Sequence, residues 1–380
     1  MSPRVVPFNR PAIAPRQLEY VGASFDSHHL AGDGEFTKQA AAELSGIHEG
    51  STVLLTTSCT AALELSAMLL ELEPGDEVIV PSFTFVSSAN AFAVMGARVV
   101  FVDIDPETLN LDEHQVEAAL TDRTKAIVAV NYGGVASVST ALVEMAARAG
   151  VIIIEDNAHG LFGSSGGRPL GTRSALSTLS FHETKNVTCG EGGALVVNDD
   201  NFLERAEVLR EKGTNRSRFF RGMVDKYTWI DVGSSYLLSD INAAILLAQL
   251  ENTEITQSRR FGAVDAYRSG LVGWANSNGV RLQEQPAESV SPAHLFCLLM
   301  PDLAERTRFL AFTRERGVAT TFHYLPLHTS PAGRRFGSAP FGCPNSEDLS
   351  NRLVRLPVFS DISPVEIDRV VEVVNEFDCR

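Results

Sequence analysis

The 380-residue sequence predicts an α/β protein, with a mostly parallel central sheet covered by helices on both faces and a smaller C-terminal α+β domain. Three observations predict it. Residues 50–200 alternate short apolar runs with helical patterns of about ten residues, the pattern of βαβ units. The short runs are apolar throughout, as strands are when helices cover both faces of a sheet. Beyond position 250 the pattern turns to mixed strands and helices, and the chain is longer than one core normally serves. The expected division is therefore 1–250 for a large domain with an N-terminal arm and 251–380 for the small one.

The elements follow in order. "VLLT" (53–56) leads into the helical "TAALELSAMLLEL" (60–72), and "EVIV" (77–80) into "VSSANAFAVMG" (86–96). "RVVFVDI" (98–104) precedes "DEHQVEAALT" (112–121). "KAIVAV" (125–130) precedes "TALVEMAARAG" (140–150), and "VIIIED" (151–156) closes the series. Strands around 177–181 and 193–197 complete the large sheet. A helix over 237–257 leads away, 264–286 reads as loop-rich, and 290–380 mixes strands such as "LFCLLM" with helices such as "VEIDRVVEVVNEF".

The charge balance is acidic, 47 Asp and Glu against 32 Lys and Arg, for a formal −15. Duplex nucleic acid and anionic membranes need a basic face, so neither is an expected partner. The five cysteines (59, 189, 297, 343 and 379) form no C-x-x-C pair. They read as reduced thiols, neither a disulfide frame nor a metal site. No signal peptide or bilayer-length apolar run is visible, and a cytoplasmic location is expected.

Four features converge on the carboxyl edge of the predicted sheet, where ligands of open parallel sheets sit. Asp156 ends "VIIIED", and a buried carboxylate there wants a cationic partner; alone it also reads as a turn or cap residue. "TTSCTAALEL" (56–65) places Ser58, Cys59 and Thr60 at a helix start, where hydroxyls and free N–H groups suit a phosphate or an ordinary N-cap. "PSFTFVSSANA" (81–91) puts Phe83 and Phe85 after a strand, as core or as a plate for a planar heterocycle. "FHETKNVTCGEGGALVVND" (181–199) carries Lys185, either a solvated loop lysine or a Schiff-base amine. One cofactor uses an acid, a phosphate cradle, an aromatic plate and a lysine together: pyridoxal 5'-phosphate (PLP).

The segments "GDGEFTKQ", "PGDEVIVPSFTFVSSANA", "EDNAHG", "SFHETKN", "GEGGALV" and "HYLPLH" resemble, over nearly the whole chain, the nucleotide-sugar aminotransferases of the DegT/DnrJ/EryC1/StrS type. That is a family of PLP-dependent transferases of fold type I. Residues 210–240, "REKGTNRSRFFRGMVDKYTWIDVGSSYLLSD", look like the dTDP-4-amino-4,6-dideoxygalactose transaminase subgroup. The resemblance implies that Lys185 is the Schiff-base lysine, Asp156 the partner of the pyridine nitrogen, Phe85 the ring plate and His159 a neighbour of the ring's substituents. Ser58, the Cys59 backbone, Thr60 and Ser180 would hold the phosphate. Ser235 stands where many relatives have an asparagine that reaches the partner subunit's phosphate, which puts that contact in doubt.

Arg216, Arg218 and Arg221 form a local basic patch, either solvated or facing a sugar-nucleotide diphosphate across the dimer. His323 and Tyr324 are candidates for the same pocket. The implied enzyme moves an amino group from L-glutamate to carbon 4 of dTDP-4-keto-6-deoxyglucose, by way of pyridoxamine phosphate, in deoxyamino-sugar biosynthesis. The galacto product is favoured over the gluco product or another keto-sugar nucleotide. A homodimer with shared sites and no metal is expected. A dehydratase of the same family, with histidine in place of the lysine, and a non-catalytic PLP-binding regulator are the competing readings.

Overall fold

The computed structural model describes residues 5–283 and 285–379. The apolar runs of the first half form β1 (Thr52–Thr56), β2 (Glu77–Pro81), β3 (Arg98–Val102), β4 (Thr124–Val130), β5 (Ile152–Asp156), β6 (Leu176–Ser180) and β7 (Gly193–Val197). The second half supplies β8 (Arg281–Leu282), β9 (Phe296–Leu299), β10 (Gly337–Ser338) and β11 (Leu353–Leu356). The large sheet runs β1-β7-β6-β5-β4-β2-β3-β10 and is parallel except at β7, which is antiparallel to both its neighbours. The sheet β8-β9-β11 is antiparallel.

Both faces of the large sheet are packed, which is why its strands carry no polar alternation. Val78, Val80, Val99 and Phe101 belong to one apolar cluster, while Ile79, Val100 and Val102 belong to another. The connecting helices end where their sequences dictate. In Thr140–Ala149, Ser139 caps the start by accepting the Leu142 N–H, and Gly150 ends the helix in the left-handed region at φ 68°. Leu142, Met145 and Ala146 form its buried stripe.

The segment 237–257 differs from the expected single helix, and 264–286 is not loop-rich. Two helices, Asp240–Glu251 and Thr253–Ser277, occupy most of that stretch. Gly270, Gly273 and the asparagines at 276 and 278 gave the loop signal. Burial of Ala263, Tyr267, Leu271 and Trp274 at helical spacing overrides it. The polar tips are satisfied: Tyr267 Oη donates to Pro357 O at 2.8 Å and Trp274 Nε1 to Phe377 O at 2.6 Å. Around this helix Phe296, Leu298, Phe309, Val370 and Val374 build a second core, to which Val6 of the N-terminal arm contributes. In return β10 pairs with β3 in the large sheet, and Leu327 and Cys343 pack into its core. The chain thus crosses between the two cores more than once.

Candidate active site

Parallel register aligns the carboxyl ends of the strands. Val130 lies opposite Asp156, and Asp156 opposite Thr178. Beyond those ends opens a cavity of about 610 Å³, lined also by His294, His323, Tyr324 and Arg355 from the second half of the chain. Its wall includes Ser58, Cys59, Thr60, Phe85, Asp156, His159, Ser180 and Lys185. Eight residues drawn from separate stretches of sequence therefore meet at one place.

Lys185 follows β6 in a turn, its N–H donating to His182 O at 2.9 Å. Burial lowers its amine to about 8; the Arg355 charge pushes the same way, and Cys59 and Asp156 oppose it. Next to it, Asn186 is locked. Its Nδ2 donates to Pro292 O (2.7 Å) and Gln257 Oε1 (3.1 Å), so its Oδ1 faces His294 Nδ1 at 2.8 Å. That contact requires the proton on Nδ1 of His294. Burial pushes His159, His294 and His323 far down, with the Lys185 charge adding to each, so the three imidazoles are neutral at pH 7.

Asp156 is buried. The cationic partner expected of it is absent among the described residues. Its Oδ2 instead accepts the Ser88 hydroxyl at 2.6 Å, backed by Thr84 Oγ1 at 2.9 Å from Ser88 Oγ, and its Oδ1 accepts the Ala158 N–H at 3.2 Å. These neutral donors orient the carboxylate without neutralising it.

Ser58 caps the helix Cys59–Leu69, its hydroxyl accepting the Ala61 N–H at 3.0 Å. The N–H groups of Cys59 and Thr60 have no partner within the helix. Thr60 Oγ1 meets Ser87 Oγ at 2.7 Å. The Cys59 thiol donates to Thr178 Oγ1 at 3.5 Å and burial raises it to about 12, so it is no nucleophile. Gly193 lets β7 pass this helix start, since a side chain there would run into the backbone of Ser58 and Cys59.

Phe85 is 55% exposed and its ring centroid lies 6.1 Å from that of Tyr324. His323 stacks on Tyr324 at 3.8 Å and meets Tyr132 Oη through Nδ1 at 3.1 Å. The arginine patch is solvent-exposed and carries glutamate partners. Arg216, Arg218 and Arg221 lie away from the cavity and pair with Glu211 (3.1 Å), Glu204 (2.9 Å) and Glu207 (2.6 Å). Ser235 is exposed and forms an isolated bridge with Glu211, outside the cavity of its own chain.

Sequence reasoning missed Ser88, His294 and Arg355. Ser88 lay within a quoted motif and carried a signal; Arg355, one residue of a short apolar strand, carried none.

The family model of the DegT/DnrJ/EryC1/StrS aminotransferases matches residues 11–375. Among solved structures, the aminotransferase TlmJ from Streptoalloteichus hindustanus is 31% identical, with 97% of this chain and 98% of that chain covered and a TM-score of 0.89. Sugar aminotransferase CalS13 from Micromonospora echinospora is 26% identical over 97% and 99% of the chains, with a TM-score of 0.85. Spr1654 from Streptococcus pneumoniae, assigned as a sugar aminotransferase, is 26% identical in its PLP form over 98% of both chains, with a TM-score of 0.87.

Proposed function

Since the chain belongs to the DegT/DnrJ/EryC1/StrS aminotransferase family, we propose that it is a PLP-dependent sugar-nucleotide aminotransferase acting on dTDP-4-keto-6-deoxyglucose with L-glutamate as donor. One observation carries the reading. A depressed lysine amine and a buried, oriented carboxylate that lacks a protein cation share one cavity.

The residues present fit the cofactor. Asp156 supplies the negative charge that a protonated ring nitrogen requires. The start of the helix Cys59–Leu69 supplies unpaired N–H groups and, in Thr60, a hydroxyl for a phosphate, with Ser58 and Ser180 beside it. Phe85 is an exposed aromatic face at the cavity wall, and His159 a neutral imidazole beside it. When bound, PLP supplies an electron sink and an aldehyde that carries the amino group between substrates.

The chain's own residues do the rest. Lys185 Nζ would anchor the cofactor at its aldehyde carbon and, as a free amine, would take the proton from the donor's α-carbon and give it back at that former aldehyde carbon. A depressed amine near its working pKa suits both directions. Asp156 would face the ring nitrogen, its carboxylate held in place by the Ser88 hydroxyl and the Ala158 N–H. The second half-reaction runs the same proton transfer in reverse at sugar carbon 4.

The dTDP-sugar and the galacto product rest on the likeness of residues 210–240 to that transaminase subgroup. Arg216, Arg218 and Arg221 would meet the diphosphate from the partner subunit by exchanging their glutamates for it, and Ser235 would approach the partner's phosphate site. The apolar segment beside them, with Phe220, Met223, Tyr227 and Trp229 exposed, suits a homodimer interface. We place the enzyme in the cytoplasm, consistent with five unpaired cysteines. The test is turnover of dTDP-4-keto-6-deoxyglucose with glutamate, the product's configuration assigned from NMR couplings. A galacto amine is expected. Release of water without amino transfer, or no product, would overturn the reading.

A further inference from the structure

Arg260 is a buried guanidinium that the mechanism above does not use. It lies on the helix Thr253–Ser277 at 1% exposure, and burial pushes it down to about 9. Among the described residues no carboxylate pairs with it. Its donors go to main-chain carbonyls, Nε to Ala293 O at 3.0 Å and Nη2 to His294 O at 2.6 Å. One helical turn earlier, Gln257 Nε2 donates to Pro292 O at 3.0 Å. Two side chains of one helix thus hold three consecutive carbonyls.

Between these bonds Ala293 has φ 51°. A non-glycine residue in the left-handed region is strained, and such strain persists only where its surroundings over-determine it. The strained segment delivers His294 to the turn that carries Lys185. His294 Nδ1 donates to Asn186 Oδ1 at 2.8 Å, and its ring centroid lies 4.3 Å from that of His159, with 32° between the planes. The two imidazoles are opposite tautomers. Gly133 N–H donates to His159 Nδ1 at 3.3 Å, so His159 carries its proton on Nε2, whereas His294 carries its own on Nδ1. Pro292 stands where a side chain on Gly134 would be, so the same segment also closes on the turn that sets His159.

Little slack remains. The gap bounded by His159, Ser180, Lys185, Asn186 and His294 is about 10 Å³, room for one water at most. The donor edge of His294 is taken up by Asn186 and its face by His159, so both contacts turn towards the protein. An imidazole engaged in this way is built as a brace.

We propose that His294 is a positioning residue for amino transfer: seated by Arg260 and Gln257, it fixes the His159 ring and the Lys185 turn relative to each other. The proposal rests on the aminotransferase reading above. It gives a purpose to a buried arginine and a strained alanine that lie outside the reacting groups.

The test compares the unaltered protein with His294→Leu, which keeps bulk and loses the Nδ1–H, and with His294→Asn, whose amide N–H stands near the place of that donor. Attachment of PLP to the cofactor-free protein is followed against pH, with thermal unfolding and borohydride labelling of Lys185 read alongside. The half-rise lies near pH 8 in the unaltered protein. In His294→Leu it should move up by roughly half a unit or more, because a loosened turn admits water to Lys185 while Cys59, Asp156 and Arg355 stay as they are. His294→Asn should restore most of that shift. Turnover should fall roughly 10- to 100-fold in His294→Leu, as for a misplaced reacting group, with the glutamate concentration for half-maximal rate unchanged. Asn186→Ala breaks the same bond from its other end and covers the case in which His294→Leu does not fold. It should move the half-rise the same way, and adding His294→Leu to it should move it no further. An unmoved half-rise in folded variants, additive shifts in the double variant, or a higher glutamate requirement at unchanged turnover would overturn the assignment. An unaltered protein that takes no label at Lys185 fails the aminotransferase reading beneath it as well.

Discussion

At position 185 a primary amine sits in a cavity whose burial drains its proton affinity, and the pH consequence has a definite sign. A lysine lowered to about 8 is charged below that value and free above it. Only the free amine adds to an aldehyde. The rate at which PLP attaches to the cofactor-free protein should climb as pH rises towards about 8 and level off above it; a rise continuing to the ordinary lysine value of 10.5 would show that the amine is not buried as described. Asp156 and Ser88 form the second residue-scale prediction. Asp156→Asn removes the charge while keeping the shape, and turnover should fall about 10²- to 10³-fold, as when a preorganised electrostatic partner is lost. Ser88→Ala leaves the charge but loosens its 2.6 Å orienting bond, so steady-state kinetics should show a smaller loss, roughly 10-fold. Equal losses in the two variants would mean that Ser88 does more than orient.

The elements show why some of this was legible in sequence and some was not. The βαβ series was readable because strand periodicity, caps and glycine stops agree with the tertiary packing. The carboxyl-edge residues Asp156, Ser58, Phe85 and Lys185 were readable because each falls where a strand ends, and topology alone gathers strand ends. The helix Thr253–Ser277 was misread because its glycines are loop signals locally, while its buried face is decided by a core built from Val6 and from residues between 296 and 377. Arg355 was illegible for a related reason: nothing in "LVRLPV" reports that one strand residue turns into a cavity. The three arginines were legible as a basic cluster, but their glutamate partners at 204, 207 and 211 lie on the preceding segment and became visible only once folded. The long helix supplies its own test. Gly273 has a helical backbone and open space where a side chain would stand. Gly273→Ala should therefore raise stability by about 0.5–1 kcal/mol in denaturant unfolding, with the m-value unchanged. Destabilisation would mean that the face carrying Gly273 is packed against something in solution.

For the whole molecule, the carboxyl edge of the large sheet forms one cavity with residues 294–355, and an apolar flank is exposed on the segment 220–229. Trp229 is 76% exposed, and its neighbours Phe220, Met223 and Tyr227 are exposed with it. Sedimentation should give a dimer, and Phe220→Asp with Trp229→Asp should shift it towards monomer and lower sugar-nucleotide turnover more than Lys185 labelling. A dimer indifferent to both changes would place the interface elsewhere. The central claim concerns where the cofactor is attached, and the most direct measurement is borohydride reduction of the PLP-loaded protein followed by peptide mass mapping. A pyridoxyl group on the peptide carrying Lys185, and its loss in Lys185→Ala, is the expected result. A fully active protein that carries no label at that residue would contradict the account.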